Sequence, residues 1–222
     1  MSMHLKREIE NLKKKILSLS AMVEESVRQA VESIEKQNAR LAVKVIDADI
    51  NIDRTEVAVE EDCLKILALY QPVAIDLRFV VAVLKINDNL ERIGDLAVNI
   101  AERAVFLAAK KRPNLQFDFS QMAEKVQLML KESLDALVDM DAALARRVCV
   151  ADDEVDALNR EMYDRVKDGI RKQPENVGYL IHLLSISRHL ERIADLATNI
   201  GEDVIYMVRG EIVRHKTEEY KT

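Results

Sequence analysis

The chain has 222 residues, of which 49% are apolar and 32% charged, with 33 basic and 39 acidic side chains giving a net charge of −6. That balance excludes a disordered segment and offers no basic nucleic-acid surface, so no nucleic-acid partner is expected. Scarce glycine and proline, no tryptophan and 4% aromatics describe an all-α chain, and two cysteines without a CxxC pairing (Cys63 and Cys149) fit a reducing compartment rather than a disulfide framework.

The N-terminal stretch Met1-Ser2-Met3-His4-Leu5-Lys6-Arg7-Glu8 lacks the apolar core of a signal peptide. The longest apolar runs, such as residues 79–84, are far shorter than the roughly twenty residues of a membrane span. The expectation is a soluble cytoplasmic protein that meets a membrane only through partners.

Leu5, Ile9, Leu12, Ile16, Leu19 and Val23 recur at steps of four and three, which predicts a long first helix over residues 5–37 with Asn38 as the cap of the next. A second helix follows over 39–69, with Leu41, Val45, Ile52 and Val59 inward, and Gln71-Pro72 breaks it. The third covers 73–110. Arg112-Pro113-Asn114-Leu115-Gln116-Phe117-Asp118 reads as a linker, because it holds a proline and loses helical periodicity. Helices are then predicted over 120–140, 142–172 and 175–210, with Gln173-Pro174 between the last two and a polar tail to Thr222.

The second half repeats the first. Leu90-Glu91-Arg92-Ile93-Gly94-Asp95-Leu96-Ala97-Val98-Asn99-Ile100-Ala101-Glu102 returns one hundred residues later as Leu190-Glu191-Arg192-Ile193-Ala194-Asp195-Leu196-Ala197-Thr198-Asn199-Ile200-Gly201-Glu202, identical at ten of thirteen positions. Residues 26–53 align with 129–156 at an offset of 103, pairing Asp49 with Asp152 and Asp53 with Asp156. The architecture predicted is two tandem three-helix bundles related by internal duplication, residues 1–113 and 114–222, each with nearly antiparallel helices.

The polar identity needs its own reason. On a helix Glu91, Asp95, Asn99 and Glu102 share one stripe, as do Glu191, Asp195, Asn199 and Glu202, opposite the apolar side. Asp49/Asp53 and Asp152/Asp156 lie on the neighbouring second helices. Like charges four apart repel by a few tenths of a kcal/mol unless a multivalent cation sits between them. Oxygen donors suit Mg²⁺, Ca²⁺ and Mn²⁺, and several carboxylates can bridge iron or zinc. The residues leave two readings open: a solvated helix face, or a divalent-metal surface at these twelve positions. Catalytic versions have little support, since none of His4, His182, His189 and His215 sits in Glu-x-x-His or His-Glu-x-x-His, and no P-loop or nucleophile elbow occurs. The cysteines and methionines read as core.

With these motifs in hand, the chain resembles the PhoU family of phosphate-specific transport accessory proteins. Gln71-Pro72-Val73-Ala74-Ile75-Asp76-Leu77-Arg78, the Leu90–Asp95 motif and Arg188-His189-Leu190-Glu191-Arg192-Ile193-Ala194-Asp195 carry the resemblance, from about Leu5 to Arg214. It implies two three-helix repeats and a non-enzymatic, cytoplasmic negative regulator of phosphate uptake and of the phosphate-starvation response (the Pho regulon). It also implies a homodimer that contacts the ATPase of the phosphate ABC transporter and a sensor histidine kinase, with peripheral inner-membrane association through those partners. Some members carry multinuclear iron or other metal (zinc, manganese or magnesium) on Glu/Asp-x-x-x-Asp motifs. The matching positions here are Asp49, Asp53, Glu91, Asp95, Asp152, Asp156, Glu191 and Asp195. Where many members read Gly-Asp-His in the second repeat, this chain has Ala194-Asp195-Leu196. The alternatives are a metal-dependent helical-bundle enzyme and a metal-free helical scaffold.

Overall fold

The apolar seam of Leu5, Ile9, Leu12, Ile16, Leu19 and Val23 lies on one face of α1 (Met3–Glu35) and is buried along its whole length. The computed structural model describes residues 3–111 and 119–213. The expected linker 112–118, the repeat boundary at 113/114 and the tail from 214 lie outside the described residues. Five further helices follow: α2 (Ala39–Tyr70), α3 (Ala74–Ala108), α4 (Ser120–Asp139), α5 (Ala142–Lys172) and α6 (Val177–Arg209).

Local chemistry sets the turns. Gln37 and Met140 take left-handed backbone after α1 and α4 (φ 46° and 54°), the usual way to end a helix. The next residue in each case caps the following helix. Asn38 accepts from the Leu41 amide at 3.1 Å, and Asp141 accepts from Ala143 and Leu144 at 2.8 and 3.0 Å. Gln71 is left-handed before Pro72 (φ 44°), and Ala74 repeats that conformation (φ 48°), so the α2–α3 turn is tight. The break at Gln173-Pro174 takes a different form: Pro174–Asn176 form a 3₁₀ turn, and α6 begins at Val177 rather than at 175. Leu41, expected inward, is only partly buried, whereas Val45, Ile52 and Val59 are fully so.

Helices α1–α3 pack together, as do α4–α6, giving two interacting three-helix clusters in an all-α fold. The clusters join chiefly through α3 against α6, with a smaller contact between α1 and α4. Lys85 meets Asp203 and Phe106 meets His182, so residues ascending α3 meet residues descending α6, and the crossing is antiparallel. These two helices bury more residues than any other. Duplication also shows in a buried polar link between second and third helices. Asn87 Nδ2 donates to the Glu56 carbonyl and carboxylate at 3.0 and 2.7 Å, and at the equivalent place Ser187 donates to Asn159 Oδ1 at 2.7 Å. Cys63 and Cys149 are buried, and burial pushes both thiols up to about 12, which leaves them inert core residues. No described helix is long and apolar enough to cross a membrane.

Candidate functional site

The repeated motif places its apolar residues, Ile93, Ile100, Ile193 and Ile200, fully in the core, which turns its carboxylates toward the second helix and solvent. Gly94 lets α2 come close: a Cβ there would lie 3.2 Å from Ile52 Cγ2 and 3.4 Å from Asp49 Oδ1. Asp49 thus reaches the α3 stripe. Burial, then the charges of Asp53 and Asp95, push its carboxyl up to about 6. Burial raises Glu91 as well, with help from Asp95, Asp88, Glu56 and Asp53.

The second repeat is more strained. Burial, followed by Asp195, Asp156, Glu191 and Asp153, pushes Asp152 up to about 7, and its Oδ1 is buried without a hydrogen-bond partner. Burial also raises Glu191 and Asp195, while Arg192 acts against both shifts. In each repeat, then, the two carboxylate pairs lie within electrostatic reach across neighbouring helices.

The other four predicted positions extend along the same helices. Asn99 Nδ2 donates to the Asp95 carbonyl one turn back, at 2.8 Å. Glu102 lies 3.9 Å from Arg103 and acts on His189, and Glu202 acts on Cys149. Asn199 is half-buried.

Proximity is not convergence. Among the described residues no group of three or more His, Cys, Asp or Glu is arranged to hold a metal ion. The expected metal cofactor, whether multinuclear iron, zinc, manganese or magnesium, is therefore corrected: the donor set does not fit one. A cation needs its oxygens within roughly 2.0–2.6 Å of one point, and these carboxylates act on one another across the two helices without forming such a group. Asp53 and Asp95 spread toward solvent instead, and no histidine completes either group. The chain answers the repulsion by holding protons: Asp152, with its orphaned oxygen, keeps its proton to near neutrality.

A second cluster, at the α3–α6 crossing, is not marked by the acidic motif. Lys85 Nζ pairs with the buried Asp203 at 3.3 Å and lies 5.3 Å from the Tyr206 ring. At the other end of the crossing Phe106 stacks on His182 with centroids 3.9 Å apart, and Ser185 Oγ meets His189 Nε2 at 3.2 Å. Burial, then Arg103, Arg192 and Arg188, hold His189 below the ordinary histidine range, against Glu102. The signal that could have found this cluster is charge reversal between copies, at Asp88/Arg188 and Arg103/Asp203.

Comparison with known proteins places the molecule. The family model described as "PhoU domain" matches twice, over residues 16–104 and 119–204. A protein of Aquifex aeolicus named "Phosphate-specific transport system accessory protein PhoU homolog" is 39% identical over 96% of this chain and 97% of its own length. The crystal structure of PhoU from Pseudomonas aeruginosa superposes with a TM-score of 0.90 at 34% identity, covering 93% of this chain and 99% of that one. That of the phosphate transport system regulatory protein PhoU from Streptococcus pneumoniae gives 0.83 at 29% identity, covering 94% and 99%. With two tandem domain matches, six helices in the same arrangement and near full-length similarity, this chain belongs to the PhoU family.

Proposed function

We propose that the chain is a non-catalytic regulatory adaptor of phosphate-specific transport, acting as a metal-free helical scaffold. The observation that carries this reading is the near end-to-end similarity to the Aquifex aeolicus accessory protein, 39% identical over 96% of this chain. The Streptococcus pneumoniae relative, a phosphate transport system regulatory protein, supports the regulatory part. In this reading the chain lowers phosphate uptake and the phosphate-starvation response from the cytoplasm. It works as a homodimer of two-repeat subunits (residues 1–113 and 114–222) and reaches the inner membrane only through its partners. Those partners are the ATPase of the phosphate transporter and a sensor histidine kinase.

The acidic faces supply docking charge for basic partner surfaces. Asp53 and Asp95 are solvent-exposed in the first repeat, as is Asp195 in the second, so their charge is available without rearrangement. Capture from phosphate-replete and phosphate-starved cells tests the reading: a transporter ATPase or a histidine kinase should be recovered in at least one condition. Asp53→Asn with Asp95→Asn should weaken that recovery. Failure to recover either partner in both conditions would overturn the proposal. Undiminished recovery by the double variant would remove the acidic faces from it.

A further inference from the structure

Among the described helices, α2 packs against α1 and α3 and makes no contact with the second repeat, so its outer face is open. On that face stand Val43, Ile50, Val57 and Leu64, each between 44% and 53% exposed. They are seven residues apart, a spacing that drifts by only about 20° per heptad, so they form one apolar stripe along the helix. The fold does not require it. Helix α5 is the copy of α2, with Val155 and Met162 buried where α2 buries Ile52 and Val59. At the positions equivalent to the stripe, α5 holds Arg146, Asp153, Arg160 and Lys167. The same place in the second repeat therefore carries charge, and the stripe belongs to α2 alone.

A second series runs beside the stripe. Arg40, Asp47, Arg54 and Glu61 fall between its successive members, are all exposed, and alternate in sign. Side chains seven apart are separated by about 10 Å of rise, too far to pair with one another. None of the four has an ion pair among the described residues, whereas Asp62 and Lys65 on the same helix pair with Lys15 and Glu8 of α1.

An antiparallel copy of α2 reads this series backwards, which sets every charge against its opposite. With a two-fold axis at Ile50, Arg40 meets Glu61 of the copy and Asp47 meets its Arg54. The same register stacks Ile50 on Ile50 and Val43 on Val57. Sliding one copy by seven residues sets Arg54 against Arg54 and Asp47 against Glu61, so charge selects the first register over the second.

We propose that α2 of one copy packs antiparallel on α2 of a second copy, about a two-fold axis at Ile50. This rests on the homodimer reading above and names the face that joins the subunits. The contact is isologous, as a closed dimer requires. A single helix pair covers less than the roughly 800 Å² per partner of a standard interface, so the dimer dissociates on dilution.

Sedimentation velocity of the full chain over a concentration series, at low and high salt, tests this. A monomer–dimer equilibrium is expected, weakened by salt because the four ion pairs lie at the exposed rim. Ile50→Lys sets two like charges together on the axis. Asp47→Arg and Arg54→Asp each set like charges together at two symmetric places. Each of the three should raise the dimer Kd at least about tenfold. Combining Asp47→Arg with Arg54→Asp restores opposite charges and should return Kd to within about threefold of wild type. Arg160→Gln, at the α5 position equivalent to Val57, should leave it unchanged. A dimer undisturbed by Ile50→Lys would overturn this inference and leave the homodimer reading standing. Loss in both single charge variants without recovery in the double would overturn the antiparallel register. A monomer at every concentration would overturn both the inference and the homodimer, and would give the stripe to a helix of another protein. The substituted side chains are exposed, so folding does not depend on them, and circular dichroism melting checks each variant.

Discussion

Asp152→Asn should stabilise the protein at alkaline pH, and only there. In the folded chain burial, then Asp195, Asp156, Glu191 and Asp153, push the Asp152 carboxyl up to about 7 from an ordinary 3.8. A folded pKa above the unfolded one means that the group's favourable contribution is complete below about pH 4 and is lost as pH rises through 7. Taken at face value the difference amounts to about 4 kcal/mol. Asp152 remains partly open to water, so screening brings the expected figure to about 1–2 kcal/mol. Asparagine keeps the shape and cannot ionise. The variant should therefore match wild type near pH 4, gain steadily above it, and level off about 1–2 kcal/mol more stable at pH 8, with a melting temperature higher by roughly 2–6 °C. Urea unfolding of both proteins from pH 4 to 8 in chelated buffer reads this directly. Asp49→Asn should behave alike with a smaller gain that saturates earlier, since Asp49 is held only to about 6. A variant less stable than wild type at pH 8, or a difference independent of pH, would refute the reasoning. Loss of stability would mean that the carboxylate is neutralised by something other than its own proton.

Two further outcomes follow from the same geometry. Adding EDTA should leave the melting temperature unchanged, because no donor group among the described residues fits a metal, and a drop beyond scatter would contradict that fit. Gly201→Ala and Gly178→Ala should shift urea midpoints in opposite directions. At Gly201 a Cβ would lie 3.0 Å from the Ala145 carbonyl oxygen on α5, costing about 1–3 kcal/mol through forced separation of the helices, whereas nothing lies within 4 Å at Gly178 and alanine there gains about 0.5–1 kcal/mol.

The fold was legible because its signals are local. Helical periodicity, the Asn38 cap, the Gln71-Pro72 break and the repeated motif each act within a few residues, and together they specify six helices in two copies. The start of α6 was displaced by two residues because Pro174–Asn176 close a 3₁₀ turn, a choice that proline at a helix entry leaves open. The acidic site was legible only in part. Spacing told that Asp49 and Asp53 share a face and that Glu91 and Asp95 share another, and neighbouring helices bring those faces together. Spacing could not tell whether their oxygens meet at a point, which depends on rotamers and on how closely Gly94 lets α2 approach. The α3–α6 crossing was invisible for a different reason: it joins two repeats, and periodicity within one helix says nothing about which of its faces a distant copy will cover. Lys85 and Asp203 are separated by 118 residues.

That crossing gives a sharper test of the architecture than any single core residue, since one interface should respond unequally at its two ends. Asp203 is almost fully buried and receives Lys85 from the other repeat. Lys85→Gln removes a charge partner from a carboxylate that cannot turn to water, and should cost about 1–3 kcal/mol even though Asp203 keeps its other contacts. Arg103 occupies the position equivalent to Asp203, stands 33% exposed, and lies 3.9 Å from the exposed Glu102. Arg103→Gln loses a loose surface contact to Glu102, so it should fall within about 0.5 kcal/mol of wild type. Urea unfolding of the two variants, side by side in a buffer without phosphate or sulfate, separates them. Equal losses would mean that both ends are held by the same kind of pairing, and that the charge reversal between the repeats has no energetic consequence.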